Sequence, residues 1–195
     1  TRLRHAVQSG LYGRPLRFKT CMSWPRPKEY FSGSTWKGRV YDPVSGAPIY
    51  DSIVTNATAH YLHNLFFIAS SRQRSFSSRL YRAYDIETFD TCLIKGVMEN
   101  GCEFFYGGTF AGESAADVVQ ELTFERGTVR YGQDQADVLK GYLDDGTVID
   151  YGTMSGSREV AKKLIRMIEC IENETEPLCS VDEILPYLSV CNQIF

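Results

Sequence analysis

The chain has no apolar run long enough to cross a bilayer. Its longest, Leu65 to Ala69, is five residues, against the roughly 18 that a membrane-spanning helix needs. It opens Thr1-Arg2-Leu3-Arg4, with neither methionine nor an apolar leader. A start in mid-pattern predicts a piece of a longer polypeptide. No two of the six cysteines (Cys21, Cys92, Cys102, Cys170, Cys179 and Cys191) have C-x-x-C spacing, which argues against zinc-ribbon and thioredoxin-like readings. At 195 residues the chain is long enough to bury a real core without disulfides. Reduced, mostly buried thiols in a cytoplasmic protein are expected. The sequons at Asn56 and Asn173 then carry no weight.

Several catalytic signatures are also missing. There is no G-x-G-x-x-G turn for a dinucleotide pyrophosphate, no G-x-S-x-G and no H-E-x-x-H. The stretch Gly33-Ser34-Thr35-Trp36-Lys37-Gly38-Arg39-Val40 approaches a P-loop but lacks its Lys-Ser/Thr pair and its strand-to-helix setting. No Lys/Arg stripe with interleaved aromatics marks a nucleic-acid surface. At 13% aromatic residues, wholesale disorder is excluded.

What is present is unevenly placed. The net charge is −3, but residues 1–82 hold 13 Lys/Arg against three acids, while residues 83–195 hold 8 against 21. Two explanations follow: the two parts neutralise each other on packing, or the first part faces an anionic ligand.

The order of elements reads as α+β. Residues 1–9 suggest a helix end, closed by Gly10 and Gly13, and Leu16–Trp24 a strand after Pro15. Residues 25–50 form a long loop rich in Pro, Gly and aromatics. Asn56–Ser70 is the clearest helix, capped by Thr55 or Asn56. Seven β-rich runs follow (76–87, 89–99, 102–110, 118–125, 128–132, 137–143 and 147–151), separated by turn signals such as Glu99-Asn100-Gly101 and Asp144-Asp145-Gly146. Ser157–Ile171 is an amphipathic helix with Val160, Leu164, Met167, Ile168 and Ile171 on one stripe. Ser180–Asn192 is a last helix interrupted near Pro186. The sum is a large, mostly antiparallel open-faced sheet of about six to seven strands with helices on one face. A bare sheet face of that size predicts a partner.

The helix over Asn56–Ser70 carries a polar stripe. Asn56, His60 and His63 would fall within roughly 60° of arc at helical spacing, and two of the three histidines lie here. Such groups in an apolar helix are satisfied by neighbouring backbone, bind a metal with Asp51 or Asp90, or handle protons in a pocket.

An ordered set of segments then resembles the C-terminal domain of the Gfo/Idh/MocA oxidoreductases, the glucose–fructose oxidoreductase and inositol dehydrogenase family. The set is Ser9-Gly10-Leu11-Tyr12-Gly13-Arg14-Pro15-Leu16, Trp24-Pro25-Arg26-Pro27 with Tyr30, Trp36-Lys37-Gly38-Arg39, Asp51-Ser52, and Asn56-Ala57-x-Ala59-His60-Tyr61-Leu62-x-Asn64. Asp90-Thr91, Glu125-Arg126-Gly127 and Pro177-Leu178-Cys179 continue it.

The resemblance implies that residues 1–195 are a substrate-binding and oligomerisation domain. Its partner would be a nucleotide-binding domain that holds NAD or NADP and carries a catalytic Lys, neither of which this chain contains. It also implies hydride exchange with a sugar or polyol hydroxyl, no cofactor bound by this piece alone, and self-association through the sheet face as dimer or tetramer. The family's Asp-x-x-x-His pair falls on Asn56 and His60, so His60 is the implied catalytic residue and an amide replaces the acid. The acid often seen three residues later is here His63. Asn56, His63, Arg26, Tyr30, Trp36 and Arg39 are the expected substrate contacts. A non-enzymatic sugar-binding or scaffold domain of the same fold is the alternative.

Overall fold

A computed structural model describes residues 2–132, 137–153 and 158–195. In chain order the elements are α1 (Arg2–Gln8), β1 (Pro15–Ser23), α2 (Glu29–Ser32), α3 (Ala59–Ala69), β2 (Gln73–Tyr81), β3 (Thr91–Met98), β4 (Glu103–Thr109), β5 (Ala116–Phe124), β6 (Gly127–Tyr131), β7 (Val138–Leu143), β8 (Val148–Thr153), α4 (Arg158–Glu172), a 3-10 turn (Asp182–Ile184) and α5 (Leu185–Ile194). The strands form a single eight-stranded sheet in the order β2-β3-β4-β1-β5-β6-β7-β8.

The expected α+β architecture is present, with more strands than the six to seven anticipated. The eighth is β1, expected as a strand over Leu16–Trp24 but not as a member of the sheet; it enters the middle, parallel to β4 and antiparallel to β5. Its alternation explains the central position: Phe18, Thr20 and Met22 are buried on one face, while Arg17 and Lys19 point to the other. All other pairs are antiparallel hairpins. Gly101 supplies the positive φ of +86° that the β3–β4 turn requires.

One face is covered. Phe18, Ile94, Phe104, Tyr106, Leu122 and Val129 are buried there, and α3 lays Leu62, Leu65 and Phe66 on it. The rings of Phe66 and Phe104 meet edge to face at 5.1 Å. Full burial of side chains of this size contributes roughly 1.5–3 kcal/mol each. The opposite face carries Lys19, Leu93, Lys95, Phe105, Glu121 and Arg130 in register across the strands.

Three expectations shift. β2 stops at Tyr81, short of the run to residue 87, because buried Asp90 gathers the backbone N–H groups of Ala83 (2.6 Å) and Tyr84 (2.9 Å) onto its Oδ2 and folds 82–90 into a loop. Pro186 does not interrupt the last helix; it sits in the first turn of α5, where its missing N–H costs nothing. The apolar stripe of α4 faces outward, with Leu164 64% and Ile171 72% exposed; Ser157 and the Val160 side chain lie outside the described residues. All six cysteines are free, four of them buried. Among the described residues no helix is long and apolar enough to cross a membrane.

Candidate functional site

The chain leaves β1 beside the end of β4. Trp24 N donates to Thr109 O and Arg26 N to Phe110 O, both at 2.9 Å, so residues 24–26 prolong the parallel pairing beyond the sheet. The Arg26 guanidinium lies over the rings of Tyr30 (5.3 Å) and Phe110 (5.6 Å). Its Nε is buried without a hydrogen-bond partner. Lys37 Nζ stands 3.8 Å from the centre of the Tyr30 ring, a close cation–π contact, and 5.8 Å from the exposed Trp36.

Asp51 ties this loop to the start of α3. It is 5% exposed. Its Oδ2 accepts from Gly38 N at 2.6 Å and its Oδ1 from Asn56 Nδ2 at 2.8 Å. Its backbone N–H donates to Arg39 O at 3.0 Å, and its carbonyl accepts from Thr88 Oγ1 at 2.6 Å. Burial pushes the carboxyl up from its ordinary value; the Gly38 and Asn56 bonds and the Lys37 charge pull the other way.

The helix therefore begins later than the sequence suggests. Residues 52–58 wind as turns, with Asn56 N on Ser52 O and Thr58 N on Ile53 O, and α3 starts at Ala59. Local side-chain bonds hold these turns: Asn56 donates its amide N–H to Asp51, and Thr58 Oγ1 donates to Ile53 O. This also fixes the amide's orientation. Nδ2 faces the carboxylate, and Oδ1 has no hydrogen-bond partner among the described residues, so it is available to accept from a ligand hydroxyl.

His60 occupies the first turn of α3 with its ring 4.0 Å from that of Tyr61, which meets Trp24 edge-on at 5.9 Å. Partial burial, and then the positive Lys163, hold its pKa below the ordinary imidazole value. A neutral imidazole is favoured at pH 7, the form that accepts a proton.

Tyr61, beside His60, thus meets Trp24 in the segment that leads to Arg26 and Tyr30, and Asp51 ties Asn56 to Gly38 in the loop that carries Trp36. Two other expected contacts are engaged internally. His63 packs against Phe67 and Tyr187, with Nε2 3.7 Å from Cys179 Sγ and a buried Nδ1 lacking a partner. Arg39 pairs with Glu87 at 3.1 Å. Sequence reasoning did not single out Lys37 or the tie from Asp51 to Asn56. The signals were an acid immediately before a turn-rich stretch and a lysine between Trp36 and Gly38.

No group of three metal-ligating side chains occurs among the described residues. Both oxygens of Asp51 and of Asp90 already accept hydrogen bonds. Nor do the residues present fit a nicotinamide dinucleotide as its main binding site. That cradle is a Gly-rich strand–turn–helix, and β1, which pairs in parallel with β4, runs instead into Trp24-Pro25-Arg26-Pro27.

No family model and no curated protein matches the chain. Solved structures do. The WlbA dehydrogenase from Bordetella pertussis, in complex with NADH and UDP-GlcNAcA, matches with a TM-score of 0.72 at 19% identity, over 99% of this chain and 56% of that one. An oxidoreductase from Agrobacterium radiobacter, in complex with NAD+, L-tartaric acid and magnesium, gives 0.73 at 16% identity, over 98% and 56%. An aldose-aldose oxidoreductase from Caulobacter crescentus, complexed with glycerol, gives 0.72 at 12% identity, again over 98% and 56%. The chain spans a little over half the length of these structures. The resemblance to the C-terminal domain of the Gfo/Idh/MocA oxidoreductases holds for the fold.

Proposed function

We propose that the chain is the substrate-binding and oligomerisation domain of an NAD(P)-dependent oxidoreductase acting on a sugar or polyol hydroxyl. What supports the reading is an imidazole favoured neutral, His60, in the first turn of α3, and just before that helix an amide, Asn56, that Asp51 fixes with its acceptor oxygen open. The nicotinamide serves as hydride carrier and is held by a second domain. This chain's residues do the rest: Asn56 Oδ1 accepts from one substrate hydroxyl, His60 takes the proton of another, and Tyr30 and Trp36 offer flat apolar faces to a sugar ring. We assign His63 and Arg39, whose partners are internal, to holding α3 and the loop in place.

The amide at Asn56, where the family carries an acid, favours a second reading: a sugar-binding or scaffold domain without turnover. One experiment separates the two. The open reading frame containing this chain is expressed with its upstream codons and assayed for NAD(P)H formation against a panel of sugars and polyols. Turnover supports the enzyme; sugar binding without turnover supports the scaffold. The 195-residue chain alone is expected to give no calorimetric signal with NAD(H), and micromolar affinity there would overturn the division of labour between domains.

A further inference from the structure

The charge asymmetry of the sequence is only partly consumed by pairing. Arg4, Arg14, Arg39 and Arg72 find Glu183, Glu125, Glu87 and Glu99, so four of the thirteen early cations are paired with later carboxylates. Lys28, Lys37 and Arg82 have no ion pair among the described residues, and all three line one cavity of about 690 Å³. The volume falls within the roughly 300–1,000 Å³ of small-molecule sites.

The walls of this cavity are built rather than incidental. Gly38 brings the loop after α2 against the 82–88 loop; its φ is +70°, and an added Cβ would lie 2.8 Å from Ile86 Cγ2. Its carbonyl accepts from Glu87 N (2.8 Å) and Thr88 N (3.2 Å), locking the two loops together. Glu87, an acid on the wall, is spent on Arg39 Nη1 at 3.1 Å and Val40 N at 3.0 Å, which leaves Asp85 as the remaining lining carboxylate. Arg82 is steadied by donating Nη1 to Ile86 O at 3.0 Å. Ser34 Oγ accepts from Lys37 N at 3.1 Å and retains its own O–H for donation.

We propose that this cavity binds the phosphoryl anion of a ligand such as a nucleoside diphosphate or a sugar phosphate. Two lysines act as point charges, and the guanidinium adds directed donors; all three line one concave space, which suits an anion with several oxygens. Lys37 joins the cavity to the candidate site, because the same ammonium stacks on Tyr30 and its charge acts on Asp51. Taken with the oxidoreductase reading, on which this step rests, the substrate class becomes a phosphorylated or nucleotide-linked sugar; binding itself requires only the cavity.

The 195-residue chain is titrated calorimetrically, at low and at physiological salt, with pyrophosphate, uridine diphosphate, glucose 6-phosphate and glucose. The phosphorylated ligands are expected to bind and to weaken with salt, while glucose gives no signal from this cavity. Lys28→Gln/Arg82→Gln, a double change at two exposed side chains, should weaken their binding tenfold or more. Uridine diphosphate binding more tightly than glucose 6-phosphate identifies a nucleotide-linked ligand; the reverse identifies a sugar phosphate. Absence of binding by pyrophosphate and uridine diphosphate at millimolar concentration overturns the proposal, as does unchanged affinity in the double variant. Either failure leaves the oxidoreductase reading standing, since that depends on turnover with the upstream domain present.

Discussion

Asp51 and Asn56 form a buried-carboxylate-to-amide bond of 2.8 Å that sets which atom of Asn56 faces outward. The same carboxylate closes the Gly38 N–H at 2.6 Å, so a single side chain organises both the loop before α3 and the polar group at its start. Truncating it should be costly. Asp51→Ala leaves the Gly38 N–H buried and unpaired, at about 1–3 kcal/mol, less whatever the wild type spends on burying a charge. For a domain of this size that is a fall in Tm of roughly 2–4 °C per kcal/mol. Thermal unfolding of the chain followed by circular dichroism measures it, and an unchanged Tm would show that water reaches Gly38 N–H once the carboxylate is gone.

Placing at residue 56 the acid that the resemblance implies should carry a penalty visible only in this context. Asn56→Asp sets a second carboxylate against Asp51, and like charges at that distance raise both carboxyl pKa values above those of the unfolded chain. Groups with raised folded pKa contribute fully below the unfolded value and lose that contribution as pH rises through the folded one. The Tm deficit of Asn56→Asp relative to wild type should therefore be largest near pH 7 and shrink towards pH 4. A deficit that is flat across that range would mean that the two side chains separate. The sequence comparison alone suggests a harmless reversion; the Asp51 contact argues otherwise.

His60 is tested in a protein that joins this chain to the nucleotide-binding domain proposed for it. His60→Asn removes the proton acceptor while keeping a side chain that hydrogen-bonds, and should lower kcat by about 10²- to 10⁴-fold, the usual worth of a positioned acid or base. The Tm of the chain should change little, because the ring packs mainly on Tyr61. Intact turnover with a Tm several degrees lower would instead make His60 a packing residue.

The elements most legible in the sequence were those fixed by local chemistry. Asn100-Gly101 and Asp145-Gly146 announced hairpins, and the apolar helix after Asn56 announced burial, which Leu62, Leu65 and Phe66 supply. What stayed hidden depended on distant partners. Nothing local says that β1 lies between β4 and β5, since Cys21 pairs with Gly107 on one side and Val119 on the other, far along the chain. For the same reason a helical wheel placed His63 beside Asn56, although Asn56 precedes the helix and His63 turns to Tyr187 and Cys179 near the C-terminus. Periodicity assigns a side chain to a face; the partners on that face decide what it does.

The open face of the sheet yields the last prediction. One row across it runs Lys95, Phe105, Lys19, Glu121 and Arg130, and the adjacent row holds Leu93, Gly107, Cys21 and Val119. Charges of both signs flank apolar groups, and no helix covers them among the described residues, so a second copy turned about a two-fold axis can answer positive with negative and bury Leu93 and Phe105 between. Self-association as a dimer or tetramer follows, to be read by sedimentation at tens of micromolar. Leu93, 36% exposed on β3, the neighbour of edge strand β2, is the point to break it. Leu93→Glu buries no new group in the monomer yet places an unpaired carboxylate inside the interface, where desolvation without a partner costs several kcal/mol. The variant should sediment as a monomer with its circular dichroism unchanged. A wild-type chain that is already monomeric at that concentration would remove the sheet face as an assembly surface.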